Sequence, residues 1–162
     1  MLTTQQLAAL KTDILADNAF SGLPHNSDGA FAIAAAYNLE ASPAWVVWRS
    51  SVTQDEIMQN GFDWTRVDNL SIGKSRIWEW MFANAERVFN PAKPNVRAGI
   101  DATWVGTAAD LAVRAVVYTH CKRNATRAEK LFSTGTGTDA TPATMGFEGQ
   151  LQYADVQAAM GW

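Results

Sequence analysis

Three threonines each stand three residues before a glutamine or glutamate, and this repeated pattern constrains the fold more than any other feature. In a capping box the threonine hydroxyl and the later side chain bond to each other's backbone N–H groups and so begin a helix. The three pairs are Thr3/Gln6, Thr53/Glu56 and Thr126/Glu129. After the first pair, apolar residues recur at helical spacing. The pattern predicts a mainly α protein built as a helical bundle. The residues after the last helix add an extended C-terminal arm that forms a short strand or hairpin.

The remaining helix boundaries follow from caps, glycines and prolines. Trp78 and Trp80 stand two apart in one predicted helix, so they point to roughly opposite sides and one of them can enter the core. The predicted helices run from Thr3 to near Asp17, from Asp28, from Thr53 to Asn60-Gly61, from Ser71 to Asn90-Pro91, from Asn95 through Trp104, from Thr107 to Cys121, and from Asn124 or Thr126 to Phe132.

One apolar segment fits two structures. Its residues, Trp45-Val46-Val47-Trp48, are β-branched and aromatic, which suits a short strand,. The two tryptophans also lie three apart, which puts them on one helical face, and Ser42-Pro43 suits an N-cap and first helical position. We favour the helix and keep the strand as the alternative.

A twelve-residue strip rich in glycine and threonine, residues 133–144, follows the last of these helices. Residues 145–153 then alternate apolar and polar, which is typical of an extended segment, and residues 154–160 can form two helical turns closed by Gly161,. We therefore expect a helical bundle domain over 1–132, a flexible linker over 133–144 and a C-terminal docking arm over 145–162.

Bulk properties bound the function only broadly. The 162 residues suit one domain, and the net charge of -3 gives no general attraction to nucleic acid or to an anionic membrane,. We expect no secretion signal, because no basic segment followed by an apolar run stands at the N-terminus. A single cysteine excludes an intrachain disulfide and fits a reducing cytosol,.

Candidate chemical motifs have simpler structural explanations. Residues 135–140 match a loose dinucleotide-binding pattern but lack the preceding strand and following helix that a phosphate loop needs,. His120-Cys121 lacks the further ligands that zinc needs, and adjacent helical residues diverge too far for a Cys-His nucleophile. We therefore expect no catalytic, cofactor-binding or metal-binding residues, and no enzyme.

A basic patch and several aromatic side chains are the remaining candidates for contacts. Lys122, Arg123, Arg127 and Lys130 form the patch, which is either a solvated helix face or a contact for a phosphate backbone or an acidic partner,. Candidate partner-binding residues are Phe147, Leu151, Tyr153, Trp162, Trp78 and Trp80,.

Segments spread over nearly the whole chain resemble small proteins of the structural gene modules of tailed bacteriophages and prophages. The segments are residues 14–17, 28–30, 33–38, 43–49, 77–81, 122–132 and 135–149. Within such particles the predicted architecture resembles the head–tail adaptors, in which a helical bundle forms a ring wall and an extended tail docks on the portal.

The resemblance implies a virion structural protein that is assembled in the host cytoplasm. It would form a homo-oligomeric head–tail connector ring that contacts the portal and the tail or neck proteins. DNA would pass through its channel without sequence-specific binding, and no membrane or cofactor would be involved. The alternative is a phage-encoded regulator that binds nucleic acid or a host protein through the basic patch.

Overall fold

Helices dominate the protein, as the sequence predicts, and its strands are short. A computed structural model describes residues 1–59 and 61–162. The elements in chain order are α1 (Thr4–Ala16), α2 (Ser27–Tyr37), β1 (Val46–Trp48), β2 (Val52–Thr53), α3 (Gln54–Gln59), α4 (Ile72–Met81), β3 (Val88–Phe89), α5 (Pro94–Thr103), α6 (Ala108–His120), β4 (Lys122–Asn124), α7 (Arg127–Leu131), β5 (Ser133–Thr134), β6 (Thr144–Met145) and α8 (Tyr153–Met160).

The chain forms two compact units, and this division differs from the one that the sequence predicts. Unit 1 contains residues 1–47 and 124–162, whereas unit 2 contains residues 48–123. The chain leaves unit 1 in β1 and returns to it in β4. The segment predicted as a docking arm is therefore part of unit 1.

Unit 1 is built around α8, which packs against both α1 and α2. Its core combines Leu10 and Ile14 of α1, Ile33 of α2, and Leu151 and Val156 from the C-terminal segment. These side chains come from opposite ends of the sequence, and burial of each large aliphatic one contributes about 1.5–3 kcal/mol. The C-terminal segment buries its apolar side chains inside its own chain, which corrects the interpretation of residues 145–162 as a separate arm.

The glycine- and threonine-rich strip is a folded hairpin and not a linker. Antiparallel strands β5 and β6 pair Ser133 with Met145 and Thr134 with Thr144. Between them, the hydroxyl groups of Thr136, Thr138 and Thr141 hydrogen-bond to one another. The strip supplies its own hydrogen-bond partners, which a composition-based prediction of flexibility does not take into account.

The same hairpin explains why residues 45–48 form a strand. The N–H of Val46 donates to the carbonyl of Gly137 at 2.8 Å, and the N–H of Ala143 donates to the carbonyl of Val46 at 2.9 Å. The N–H of Ala125 donates to the carbonyl of Trp45 at 2.8 Å. These distant partners outweigh the helical spacing of the two tryptophans, so the favoured helix is wrong and the strand alternative is confirmed,.

Unit 2 has an aromatic core. Trp78 lies between Phe82, at 5.1 Å between ring centroids, and Trp104, at 5.3 Å, both edge-to-face. Phe62 stacks on Trp78 at 5.9 Å. Strands β2 and β3 close this unit as an antiparallel pair in which Val52 faces Phe89.

Most predicted helix starts are confirmed by their caps. Capping boxes stand at Thr3/Gln6 and Thr126/Glu129, and Thr53 exchanges the same pair of bonds with Glu56. The N-cap of α2 is Asn26 and not Asp28, which lies inside the first turn. The predicted end of α3 at Asn60 lies outside the described residues.

The predicted helix from Ser71 to Asn90 is too long. It begins after Ser71 but ends at Met81, and Val88 is in a strand. The Asn84 side chain accepts from the Val88 N–H at 3.1 Å and donates to the Val88 carbonyl at 2.6 Å, closing a loop. Asparagine here offers the backbone a local alternative to helical hydrogen bonds.

Gly137 provides a test of whether the strip is a hairpin or a linker. It has φ 64°, and a Cβ at this position would overlap the indole of Trp45. We expect Gly137→Ala to combine left-handed strain with this overlap and to destabilise the protein by about 2–4 kcal/mol. Urea unfolding followed by circular dichroism measures this loss.

Gly161→Ala is the matched control, because Gly161 has φ 76° and nothing within 4 Å of the added Cβ. We expect it to cost only the backbone strain, about 1–2 kcal/mol. Equal losses for the two variants, or no loss for Gly137→Ala, would contradict the packed hairpin.

Candidate functional site

Unit 1 contains a cavity of about 820 Å³ between α1, the end of α2, and the segments around Trp45 and α7. We call it the unit 1 cavity. Phe20, Leu39, Trp45 and Leu131 form apolar parts of its wall. Its volume lies within the range of roughly 300–1,000 Å³ that is typical of ligand-binding clefts.

An arginine–carboxylate network forms the charged side of the cavity. Nη1 of Arg127 donates to Asp17 at 2.7 Å and Nη2 donates to Asp13 at 3.0 Å. The Tyr37 hydroxyl also donates to Asp13. The guanidinium lies 4.3 Å from the centroid of the Tyr37 ring and 5.2 Å from that of Phe20, so it has both ionic and cation–π partners,. One side chain thereby joins α7 to α1 and α2.

These contacts shift the protonation equilibria of the network. The hydrogen bond from the Ala19 N–H, followed by that from Arg127, lowers the pKa of Asp17 below its usual range. Burial, together with the bond to Asp13, raises the pKa of Tyr37 above its usual range. Asp17 is therefore a carboxylate and Tyr37 a neutral phenol at physiological pH, and the guanidinium already occupies the space between the two aspartates.

The strip forms another wall of the cavity. Ser133 and Gly135 line it, and the indole N–H of Trp45 donates to the Ser133 hydroxyl at 2.9 Å. Nζ of Lys130 lies 5.2 Å from the centroid of the Trp45 ring. The hairpin thus holds Trp45 in place as a rigid aromatic wall with a cation on one face.

The basic patch contains residues with different roles. Arg127 is engaged by two carboxylates, and Lys130 covers Trp45. Lys122 and Arg123 lie half-buried in β4 and also have interaction partners. For Arg127 and Lys130, the structure favours roles inside unit 1 over an open contact with phosphate.

The predicted partner-binding residues at the C-terminus pack on unit 1. Leu151 is 2% exposed, and Phe147 packs edge-to-face on Phe132 at 5.6 Å. Trp162 stacks on His25 at 4.8 Å, and the partly exposed Tyr153 stacks on Phe31 at 4.3 Å. Leu151 is a core residue and not a partner anchor, because the surface that it would offer is already buried.

The two tryptophans of α4 have opposite environments, as their spacing predicts. Trp78 is 7% exposed in the core of unit 2, whereas Trp80 is 74% exposed. Trp78 is therefore excluded as a surface anchor, and Trp80 remains a candidate. Ile72 is 75% exposed two turns before Trp80, and Arg76 is exposed between them. We call Ile72, Arg76 and Trp80 the α4 face.

Metal-ligand clusters and membrane-spanning helices are both absent from the described residues. Among these residues, no group of three or more histidine, cysteine, aspartate or glutamate side chains is arranged to hold a metal ion. None of the described helices combines the length and the apolar character that a membrane-spanning segment needs.

Comparison with protein-family models, with curated proteins and with solved structures finds no match to this chain.

The stability of unit 1 should depend on the charge of Asp17. Because its pKa is lowered in the folded protein, Asp17 stabilises the fold above its usual pKa, and this stabilisation is lost as pH falls through the folded value,. We expect the urea midpoint of the wild type to fall below about pH 4. Asp17→Asn should lower the midpoint at neutral pH and reduce its further loss in acid.

Glu86→Gln serves as the control, because Glu86 is an exposed carboxylate of unit 2. It should leave both the midpoint and its pH dependence close to wild type. If Asp17→Asn behaves in the same way, the charge of Asp17 does not stabilise unit 1.

Cys121 should be inert to thiol reagents in the folded protein. It is fully buried, and that burial raises its pKa to about 12. A neutral, inaccessible thiol reacts slowly, so labelling by a disulfide reagent should accelerate by at least about 100-fold on unfolding in urea. Cys121→Ser controls for the background, and rapid labelling of the native protein would contradict the burial.

Proposed function

We propose that this chain is a structural protein of tailed bacteriophage particles, a head–tail connector that assembles as a ring of identical copies between portal and tail. The sequence resemblance to phage structural-module proteins supports this proposal. In the proposed role the protein binds other proteins, and DNA passes through the ring without sequence-specific contact.

The observation that carries the assembly proposal is the exposure of Trp80. Burying a tryptophan removes a large apolar area from water, and tryptophan is enriched at the centres of protein interfaces. Trp80 lies on the opposite side of α4 from Trp78, which the aromatic core of unit 2 holds. A large side chain presented by an anchored helix favours a protein partner that covers it.

The proposed contact uses α4 in place of the C-terminal arm. Residues 145–162 are engaged within unit 1, where the Asn38 amide donates to the Leu151 carbonyl at 3.0 Å and accepts from the Leu151 N–H at 2.7 Å. Releasing this segment would expose Leu151 and Val156 to water. The α4 face requires no such rearrangement, so it is the better candidate for contact between copies.

Charge compensation is consistent with passage of DNA without tight binding. A phosphate competes poorly for Arg127, since two carboxylates already neutralise this guanidinium,. The net charge of -3 likewise opposes general attraction to DNA,.

Native mass spectrometry of the purified protein, alone and mixed with the portal protein of the same phage, tests the proposal. We expect a closed multimer, either of the chain alone or in complex with the portal ring, since cyclic symmetry limits the copy number. A protein that stays monomeric and ignores the portal would contradict the connector role. A monomer that also retards duplex DNA in low salt would favour the regulator.

A further inference from the structure

The proposed ring, on which this inference rests, needs two different surfaces that fit each other, because each subunit contacts its two neighbours through different surfaces. We propose that Trp80 of one copy inserts into the unit 1 cavity of the next copy. The α4 face is then the donor surface, and the unit 1 cavity is the acceptor.

The donor surface is rigid. Trp78 contacts Phe62, Phe82 and Trp104 in the core of unit 2, and the Ser71 side chain caps the start of α4. Trp80 is therefore presented by an ordered helix, so docking orders little beyond its own side chain. Ile72 and Arg76 stand eight and four residues earlier, so the α4 face runs along one side of the helix.

Trp80 differs from the other exposed aromatic side chains. Phe31 and Tyr153 cover each other by stacking, and Trp64 packs against Phe62 at 4.8 Å. Trp80 is the most exposed aromatic side chain among the described residues. Covering it therefore removes more exposed aromatic surface than covering any of those three.

The acceptor suits an indole. Its volume of about 820 Å³ leaves room for a tryptophan with neighbouring side chains,. Phe20 and Trp45 provide aromatic walls, and Leu39, which is 67% exposed at the rim, provides an apolar surface that a docked indole would cover. Arg127 and the strip hold these walls in place, so the acceptor is already formed before docking.

Charge also favours this pairing. The cavity lining carries three carboxylates, Asp13, Asp17 and Glu40, and two cations, Arg127 and Lys130. Because Arg127 engages both aspartates, Glu40 is left to face an incoming cation. Arg76, one turn before Trp80, supplies that cation when Trp80 enters the cavity, and such complementary charges fix the register of an interface.

Complementation between two variants tests the proposal. Trp80→Ala removes the donor and keeps the cavity, whereas Leu39→Arg obstructs the cavity, repels Arg76 and keeps the donor. Each variant alone should lose the wild-type multimer in native mass spectrometry. Their equimolar mixture should form a one-to-one dimer and nothing larger, because each such pair contains one competent interface and two disabled surfaces.

Phe31→Ala is the matched control, because Phe31 is an exposed aromatic of unit 1 that belongs neither to the cavity lining nor to the α4 face, and it should assemble as the wild type does. Circular dichroism confirms that each variant is folded. A charge exchange gives an independent measurement: Arg76→Glu should weaken assembly by at least about tenfold in concentration, and adding Glu40→Arg to the same chain should restore it.

The outcomes separate this inference from the ring proposal. If Trp80→Ala assembles as the wild type does, the insertion of Trp80 is wrong, whereas the ring proposal is unaffected. If both variants lose assembly and their mixture forms no dimer, the insertion of Trp80 is also wrong, because the α4 face and the unit 1 cavity then do not bind each other. A wild-type chain that stays monomeric with and without portal protein would overturn both proposals.

Discussion

The packing of α8 between α1 and α2 is the interaction on which unit 1 depends. Without it, the apolar faces of both N-terminal helices would lie open to water, because Val156 and Leu151 complete the core that Leu10 and Ile33 begin. The Asn38 amide secures this packing through two hydrogen bonds to the backbone of Leu151. The unit 1 cavity takes its walls from residues 13–45 and 127–135, which belong to the two separate sequence segments of this unit.

Within this frame, Arg127 organises the charged half of the cavity. The Arg127 guanidinium is only partly exposed, and two aspartates and two aromatic rings compensate its charge,. After the hydrogen bond from the Ala19 N–H, the contact with Arg127 is the next cause of the low pKa of Asp17. The two carboxylates also leave Arg127 little capacity for an outside partner. The proposed acceptor surface therefore depends on interactions within unit 1.

Local rules predicted local features well. Helix starts at Thr3, Thr53 and Thr126 follow from side chains three residues apart, and the opposite directions of Trp78 and Trp80 follow from helical geometry,. What the sequence did not reveal depends on distant pairs. The bond between Val46 and Gly137 turns a possible helix into a strand, and the packing of Gly137 on Trp45 makes a hairpin of an apparent linker. No local pattern encodes such partners, so neither the cavity nor the fate of the C-terminal segment could be predicted.

The sequence of unit 2 interrupts that of unit 1, and this order has a consequence for biosynthesis. Residues 48–123 form a continuous segment with its own aromatic core, so everything that unit 2 needs emerges from the ribosome before the second half of unit 1 does,. Helices α1 and α2 must wait until α8 has been synthesised, with their apolar faces uncovered in the meantime. Unit 1 can therefore complete its core only after the segment of unit 2 has been synthesised.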